Sequence, residues 1–365
     1  MPEQRAYVRY SDEIETPAVG EEETIGEIIA AMQRESETVA GRHGRTLRAS
    51  HAKSTGLLTG ELRVLDGLAE PFRQGLFAAP RTHPVLVRLA QGPGELLSDS
   101  VSTHRGMAIK VLGVDGPKLP GHEGETTQDF VLATGSAFPQ ANASTFLRAM
   151  RGLELATPAP EVLKRAVSGV ARAGEAVVEA LGGDSPTLDF FGHPKRNPLA
   201  DTYHSQAALR HGDYVAKLAV VPVSPDLLAL VDRTVDTGDD PNAFRAAVTD
   251  HFRDRAAEFE VCVQLCTDLE RMPVENASVA WSEDVSPYVP VARLVLPVQD
   301  AHSPARQAYF DDVLAFRPGH GLAAHRPLGS LMRARLATYP ALSAFRHGRN
   351  GVAEREPRSL DDVPD

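Results

Sequence analysis

The sequence predicts an α+β protein in which an antiparallel β-barrel carries α-helices on its outside. The predicted strands are short and scattered along the 365 residues. They are joined by turns or by long helical segments, and they do not alternate one for one with helices as the strands of a parallel sheet do. We find no internal repeat and no low-complexity segment. We therefore expect a single domain over residues 1–365, with a core from about 20 to 351 and irregular termini.

The first half of the chain is predicted to hold two helices and four strands. Ile25, Ile28 and Ile29 recur with helical spacing, which predicts a helix over 24–40. Weak alternation and short apolar runs bounded by glycine and proline are typical of strands. These patterns predict strands at 57–65, 84–90, 107–114 and 128–133, followed by a helix at 143–153.

The second half alternates longer helices with further strands. An amphipathic stretch over 160–181 ends at Gly182-Gly183 and predicts a helix, and the residues of 185–204, rich in Pro, Gly and His, predict an ordered surface loop. Asp240-Pro241 is a start signal for a helix over 242–257. The same criteria predict strands at 213–223, 259–266 and 291–296 and helices at 304–316 and 328–346.

Composition excludes several classes of protein. The net charge is −11, from 38 basic and 49 acidic residues, which argues against a nucleic-acid partner. Residues 1–17 hold no apolar signal-peptide core, and no apolar stretch is long enough to span a membrane. Cys262 and Cys266 make no disulfide framework. We expect a cytoplasmic protein in which both thiols are buried as small hydrophobic groups.

The most informative motif is Arg335-Leu336-Ala337-Thr338-Tyr339-Pro340. Arg335 and Tyr339 lie four residues apart, so they share one face of a helix and can touch. A guanidinium stabilises the anion of a neighbouring phenol, and a tyrosinate can hold a haem iron. Arg346 follows on the same face and could bind a haem propionate. Taken alone, however, Tyr339 could be an ordinary half-buried residue and the arginines solvated charges.

Motifs elsewhere in the chain favour the cofactor interpretation, because the sequence resembles the catalases. The run Arg48-Ala49-Ser50-His51-Ala52 is similar to the distal-histidine motif of that family, and 335–340 is similar to its proximal-tyrosine motif. Segments 84–88 and 105–110 resemble its next two strands. The resemblance covers about residues 40–351 and is strongest to small bacterial relatives, the catalase-related peroxidases. Stretches that resemble this small branch are 128–130, 203–205, 281–283 and 325–330.

The resemblance implies a fold and a set of roles. It implies an antiparallel β-barrel with haem b (iron protoporphyrin IX) buried between barrel and helices. His51 is then the distal acid–base group, Tyr339 the iron ligand, and Arg335 a hydrogen-bond donor to the phenolate oxygen. The resemblance assigns further cofactor contacts, to the propionates or the proximal network, to Arg48, Arg88, Arg346 and Phe138.

Three positions on the distal side depart from the catalase pattern. Thr134 aligns with an asparagine that helps to position peroxide, Ser50 replaces an apolar residue, and Ala90 replaces a serine that many catalases carry. We expect Ser50 and Thr134 to act in catalysis beside His51. The Ser50 hydroxyl could hydrogen-bond locally and hold the imidazole differently. A hydroxyl at that place is also found in allene oxide synthases, which share the fold and rearrange fatty-acid hydroperoxides.

The resemblance therefore implies a haem-dependent peroxidase or catalase-like oxidoreductase. Its substrate would be hydrogen peroxide or an organic hydroperoxide, with an organic reductant as a further partner. His51 could take and return the peroxide proton, because imidazole titrates near neutrality. Two alternatives stay open: a specialised haem enzyme for hydroperoxide rearrangement or biosynthetic oxidation, and a haem-binding protein with little turnover. Small catalase relatives are often dimers, so a homodimer is a further expectation.

Overall fold

Eight antiparallel strands close into a barrel in the computed structural model, which describes residues 6–101, 103–156, 193–231, 233–238 and 240–365. The strands pair in the order β5-β4-β3-β2-β1-β9-β8-β7, and β5 also pairs with β7, which closes the barrel. A short strand, β6, forms a hairpin with β7. The strand bounds are β1 Ser54–Val64, β2 Thr82–Gln91, β3 Arg105–Leu112, β4 Thr127–Thr134, β5 Tyr203–His204, β6 Leu209–His211, β7 Tyr214–Pro222, β8 Ala257–Leu265 and β9 Val289–Leu296.

The period-2 alternation of strand side chains separates the barrel interior from its outer wall. In β2, Val85, Val87 and Leu89 belong to the main core cluster inside the barrel. Leu86 lies on the other face, where it joins Phe310 in a second buried cluster. Because apolar groups cover both faces, β2 is an almost continuous apolar run. Residues that come later in the chain, such as Phe310, pack against its outer face.

The helices pack outside the barrel. They are α1 Glu21–His43, α2 Ala143–Ala156, α3 Pro225–Leu228, α4 Ala243–Phe252, α5 Pro304–Gln307 and α6 Ser330–Asn350. Ile28 of α1, Leu147 of α2 and Ala334 of α6 share one buried cluster. Gly351 ends α6 in the left-handed conformation, with φ of 65°. No helix in the described part of the chain is both long and apolar enough to cross a membrane.

An ion-pair network fixes the start of α6. The Arg333 guanidinium lies 2.7 Å from Glu15, 2.5 Å from Glu21 and 2.8 Å from Glu275. Burial opposes its charge, but the three carboxylates outweigh that effect and raise the pKa of Arg333. This network ties α6 to the N-terminal segment and to the loop after β8, so the helix begins at a defined place against the barrel.

The predicted α+β fold, an antiparallel β-barrel with flanking helices, is confirmed, and most element bounds differ by only a few residues. The single helix predicted over 304–316 is wrong. It is the four-residue α5 followed by a π-helical turn, Ala308–Val313, whose carbonyl groups accept hydrogen bonds from distant arginines. The helix predicted over 242–257 ends at Phe252, and β8 begins at Ala257. The predicted helix 160–181 and residues 185–192 of the predicted loop lie outside the described residues.

A buried ion pair joins β3 to the segment before β5. Arg105 Nη1 lies 2.5 Å from Asp201 Oδ2, and both side chains are at most 3% exposed. The Arg105 guanidinium also stacks on Phe244, 4.3 Å from the ring centroid. Burial raises the pKa of Asp201, but Arg105 and His193 outweigh it and hold that pKa below its usual value. The ion pair therefore stabilises the wild-type protein fully above roughly pH 3.9, the pKa of an aspartate in the unfolded chain. This stabilisation is lost as the pH falls through the lower pKa of Asp201 in the folded protein.

The variant Asp201→Asn is expected to lose about 3–5 kcal/mol of unfolding free energy, because it leaves the Arg105 charge buried without its partner. Urea unfolding at pH 7 measures this loss. Asp213→Asn is a matched control, since the Asp213–Arg9 pair is more than half exposed and should be worth less than about 1 kcal/mol. Equal stability of the two variants would contradict the buried-pair account.

Candidate functional site

A cleft lies between the outer wall of the barrel and α6. It encloses about 790 Å³ of space between protein atoms, a figure that includes its open mouth. Strands β2, β3 and β4 form one wall, and residues 338–346 of α6 form the other. Predicted site residues that line the cleft are Arg48, Ser50, His51, Arg88, Tyr339 and Arg346.

On the helix side, Tyr339 and Arg335 form the contact that their spacing predicts. Arg335 Nη2 donates a hydrogen bond to Tyr339 Oη at 2.9 Å, and the guanidinium carbon lies 5.4 Å from the ring centroid. The local reason is the helix geometry, which brings residues i and i+4 onto one face. Tyr339 lines the cleft, and Arg335 reaches it only through the phenol oxygen. A cation placed at that oxygen stabilises negative charge on it.

On the barrel side, His51 is held in an unusual backbone conformation. Its φ is +53°, a left-handed value that non-glycine residues seldom adopt. The backbone N–H of His51 donates to the carbonyl of Gly92 at 2.7 Å. Space for the ring depends on Gly106, because a Cβ there would lie 2.6 Å from the His51 Nδ1 and Cε1 atoms. The loop strain and the missing side chain together aim the imidazole into the cleft.

The electrostatic surroundings of His51 favour the neutral imidazole. Burial, followed by the neighbouring His104 and Arg88, lowers the pKa of His51 well below its ordinary value. The rings of His51 and His104 meet edge to face with centroids 5.4 Å apart. His51 Nδ1 is buried and has no hydrogen-bond partner among the described residues. A neutral ring with one unengaged nitrogen can accept a proton from a bound molecule.

Three arginines converge on the π-helical turn at the edge of the cleft. Arg48 donates to the carbonyls of Phe310 and Leu314 at 2.6 and 2.7 Å. Arg346 donates to the carbonyl of Asp311 at 2.7 Å. These long-range hydrogen bonds satisfy carbonyl groups that a regular helix would pair internally. They also fix the guanidinium groups against the cleft.

The cluster carries more positive than negative charge. Arg88 Nε lies 2.9 Å from Asp311 Oδ1, and Ser54 donates to the other Asp311 oxygen at 2.9 Å. Burial raises the pKa of Asp311, but Arg88 and Arg48 hold it below its usual value. Burial, with neighbouring guanidinium groups, lowers the pKa of Arg48 and takes that of Arg346 to about 10. Asp311 thus faces three arginines, while the nearby acids Asp312 and Glu354 are paired with Arg45 and Arg317. Among the described residues, this leaves positive charge available for further anionic groups.

Two residues predicted from the resemblance lie elsewhere in the structure. Thr134 ends β4, where its Oγ1 accepts a hydrogen bond from the backbone N–H of Arg105 at 3.1 Å. Phe138 packs on Phe146 with ring centroids 5.8 Å apart, near Met332 at the start of α6. Neither is among the described residues that line the cleft. Their assigned roles stay predictions.

The structure also adds residues that the sequence interpretation had not placed in the site. Asp311 lies in a segment predicted to be an ordinary helix, and nothing in the local sequence marks it as a partner of Arg88. His104 precedes β3 at a turn, where histidine is common. Gly106 lies in the segment 105–110 that resembles a catalase strand, and its contact with His51 depends on residues 48–53, hydrogen-bonded to Gly92 and Pro93, folding over β3.

The comparisons with solved structures find catalases. A fungal catalase matches with a TM-score of 0.59 and 17% identity, covering 85% of this chain and 61% of that one. Catalase A from Saccharomyces cerevisiae matches with a TM-score of 0.59 and 15% identity, covering 89% and 68%. A bacterial catalase matches with a TM-score of 0.61 and 16% identity, covering 94% and 64%. At these identities the likeness shows the fold, and this chain spans less than two thirds of the fungal and bacterial catalases.

No protein-family model matches the sequence, and no curated protein matches it. The predicted resemblance to the catalases is confirmed at the level of the fold, because these three solved structures share the barrel and its flanking helices. The assignment to the small, peroxidase-like branch stays a prediction.

Proposed function

We propose that this catalase-fold chain is a haem b-dependent oxidoreductase that cleaves hydrogen peroxide or an organic hydroperoxide. The observation that carries the proposal is the convergence of Tyr339 and His51 on one cleft, with Arg335 hydrogen-bonded to the phenol oxygen. The two groups come from opposite ends of the chain. Their meeting in one cleft supplies a metal ligand and a proton acceptor for the same bound molecule.

The residues present fit a haem group. Tyr339 offers a hard anionic donor for ferric iron. Arg48, Arg88 and Arg346 exceed the charge of Asp311, so they suit the two propionate carboxylates, and arginine is the preferred partner of carboxylates. Arg48 Nε is buried and has no hydrogen-bond partner among the described residues, which leaves a donor for such a group. The apolar lining that would contact a porphyrin includes Ala108 and Val131 on the outer face of the barrel and Leu342 on α6.

The proposed mechanism assigns separate tasks to the two sides of the cleft. When bound, a ferric haem with a tyrosinate ligand supplies an electron-rich iron that favours heterolytic cleavage of an O–O bond. Arg335, through its 2.9 Å hydrogen bond, would support the Tyr339 oxygen as the ligand of that iron. His51 accepts the proton of the peroxide at its unprotonated ring nitrogen and returns it to the leaving oxygen. General acid–base help of this kind contributes roughly 10²–10⁴-fold.

Mixing the purified, haem-loaded protein with peroxide tests the proposal. Oxygen release indicates catalase activity, and oxidation of an added organic donor indicates peroxidase activity. Haem binding without turnover of hydrogen peroxide or of an organic hydroperoxide would contradict the enzymatic part of the proposal and would favour a haem-binding protein.

A second candidate function is the rearrangement of an organic hydroperoxide. It is favoured by Ser50 and Ala90, which both line the cleft beside His51. The Ser50 hydroxyl next to the imidazole and the Ala90 methyl group on β2 change the polar contacts available to a bound peroxide. Conversion of a fatty-acid hydroperoxide to a rearranged product, without oxygen release from hydrogen peroxide, is the result that would favour this candidate.

The contact between Gly106 and His51 gives a further prediction. Gly106→Ala places a methyl group 2.6 Å from the His51 ring, so the imidazole must move. A shift of about 1 Å in a catalytic group can cost roughly 10²-fold, and we expect a loss of that size in the rate of peroxide cleavage with haem content retained. Gly348→Ala is the control, because a Cβ there meets no atom within 4 Å. A full cleavage rate in Gly106→Ala would show that the ring position does not matter.

A further inference from the structure

A cluster of metal-ligating side chains lies outside the cleft. The loop between β3 and β4 carries His122 and Glu125, and the segment before α6 carries His320. A ring nitrogen of each histidine and a carboxylate oxygen of Glu125 all lie within 4.8 Å of one another. Glu125 Oε1 is 2.8 Å from His122 Nδ1 and 3.6 Å from His320 Nε2. The two rings stand 5.1 Å apart at an interplanar angle of 69°.

The carboxylate of Glu125 lacks a fixed cation. Among the described residues, its ion-pair partners are the two imidazoles, and its Oε2 atom is buried with no hydrogen-bond partner. Lys118 lies nearby, but its ammonium donates to the carbonyl of Thr127 at 2.9 Å. A buried carboxylate oxygen that has no hydrogen-bond partner is costly unless a cation joins it.

The other carboxylates around His320 are already compensated. Glu356 lies 2.7 Å from the Lys110 ammonium. Glu354 is paired with Arg317. These two acids could also be grouped with His320 as metal ligands, but each already contacts a lysine or an arginine, although Glu356 shares Lys110 with Asp129. Glu125 differs, because in the described residues its carboxylate pairs with neither a lysine nor an arginine.

His320 is held in the orientation that metal-binding histidines adopt. It is 1% exposed, and its Nδ1 lies 3.2 Å from Asp129 Oδ2. Asp129 is itself fixed by Lys110 at 2.8 and 2.9 Å and by the backbone N–H of Arg317 at 2.8 Å. Metal-ligating histidines commonly donate their second ring N–H to a carboxylate, which fixes the tautomer and leaves the other nitrogen free to bind. Here that other nitrogen, Nε2, faces Glu125.

We propose that His122, Glu125 and His320 form a binding site for a divalent transition-metal ion, with Zn²⁺ as the ion that suits the donors best. Two imidazoles and one carboxylate are a familiar zinc ligand set that leaves a fourth position for water. Binding of the ion would replace the 2.8 Å contact between His122 Nδ1 and Glu125 Oε1. The ion would join the β3–β4 loop to the segment that lines the cleft at Ala315–Arg317, and so brace one wall of the cleft.

Zinc titration of the full-length chain, stripped with a chelator and free of haem, tests this site. Calorimetry is expected to show one Zn²⁺ bound per chain, and Co²⁺ should give the visible absorption bands of a bound ion. Glu125→Gln and His122→Ala should each weaken Zn²⁺ binding by at least about 10–100-fold. A loss of that size is typical when a residue that only hydrogen-bonds to a metal ligand is removed, so removal of a ligand itself should cost no less. Glu123→Gln is the matched control, since Glu123 is an exposed carboxylate two residues away and should bind Zn²⁺ as the wild type does.

Both replaced ligands are half-buried, so the variants are expected to fold, and circular dichroism checks this. Absence of saturable binding to the wild-type chain would overturn the proposal. Equal affinity in the ligand variants and the Glu123 control would also overturn it, because it would assign the ion to other histidines. Neither readout involves haem or peroxide, so failure here is distinct from failure of the proposed function.

Discussion

Tyr339→Phe is expected to lose haem or to bind it with shifted absorption bands. Phenylalanine keeps the ring that packs in α6 but removes the one oxygen that Arg335 contacts at 2.9 Å. Loss of a supporting group outside the ligand sphere already weakens metal binding by about 10–100-fold, so loss of the ligand should cost at least that much. Haem content per chain and the visible spectrum after loading with haem measure the effect.

Tyr7→Phe is the control for this experiment. Tyr7 packs against Phe72 and Tyr214 on the barrel, away from the residues that line the cleft. It should keep the haem content and spectrum of the wild-type chain. A Tyr339→Phe protein with an unchanged spectrum would remove this residue from the proposed iron ligation, whatever its activity towards peroxide.

His51→Ala is expected to keep haem and to lose peroxide cleavage. The imidazole is neutral and lines the cleft, so its removal takes away the proposed proton acceptor while leaving Tyr339 and the arginine cluster in place. The expected loss in rate is roughly 10²–10⁴-fold. Stopped-flow mixing with peroxide gives the rate, and His43→Ala at the end of α1 serves as a control. Retention of the full rate by His51→Ala would count against the acid–base role.

The pH dependence of the cleavage rate provides a second check on His51. Burial and neighbouring positive charge lower its pKa, so the ring stays neutral as pH falls through roughly 6.5, the ordinary value for histidine. The rate in the wild type should therefore persist below that pH and decline only when the imidazole becomes protonated. A decline centred at or above about pH 6.5 would show that the ring is not shielded as the structure indicates.

Local sequence patterns were sufficient for seven of the eight barrel strands and for one contact of the site, whereas β5 lies at the end of the stretch predicted as a loop. The short apolar run at 84–90 predicted β2, and strand geometry alone then puts Val85 and Val87 on one face. The Arg335–Tyr339 hydrogen bond likewise depends only on the i,i+4 geometry of a helix. Both predictions needed no knowledge of the rest of the chain.

Features that depend on distant partners could not be predicted in this way. The π-helical turn at Ala308–Val313 exists because Arg48 and Arg346 satisfy its carbonyls, and Arg48 comes from the other end of the sequence. The cluster of His122 and His320 forms only when the β3–β4 loop meets the segment before α6. No rule of sequence spacing predicts that such distant residues meet. His51 was predicted as a site residue from the family resemblance, because its local sequence alone does not indicate a catalytic role.

The most direct test of haem ligation is resonance Raman spectroscopy of the purified, haem-loaded protein. Excitation of a tyrosinate-to-iron band should enhance the vibrational modes of a phenolate bound to ferric haem, and one haem should be present per chain. A chain that takes up no haem would contradict the proposal. Haem bound without phenolate modes would also contradict it, since the iron would then be held by an atom other than the Tyr339 oxygen.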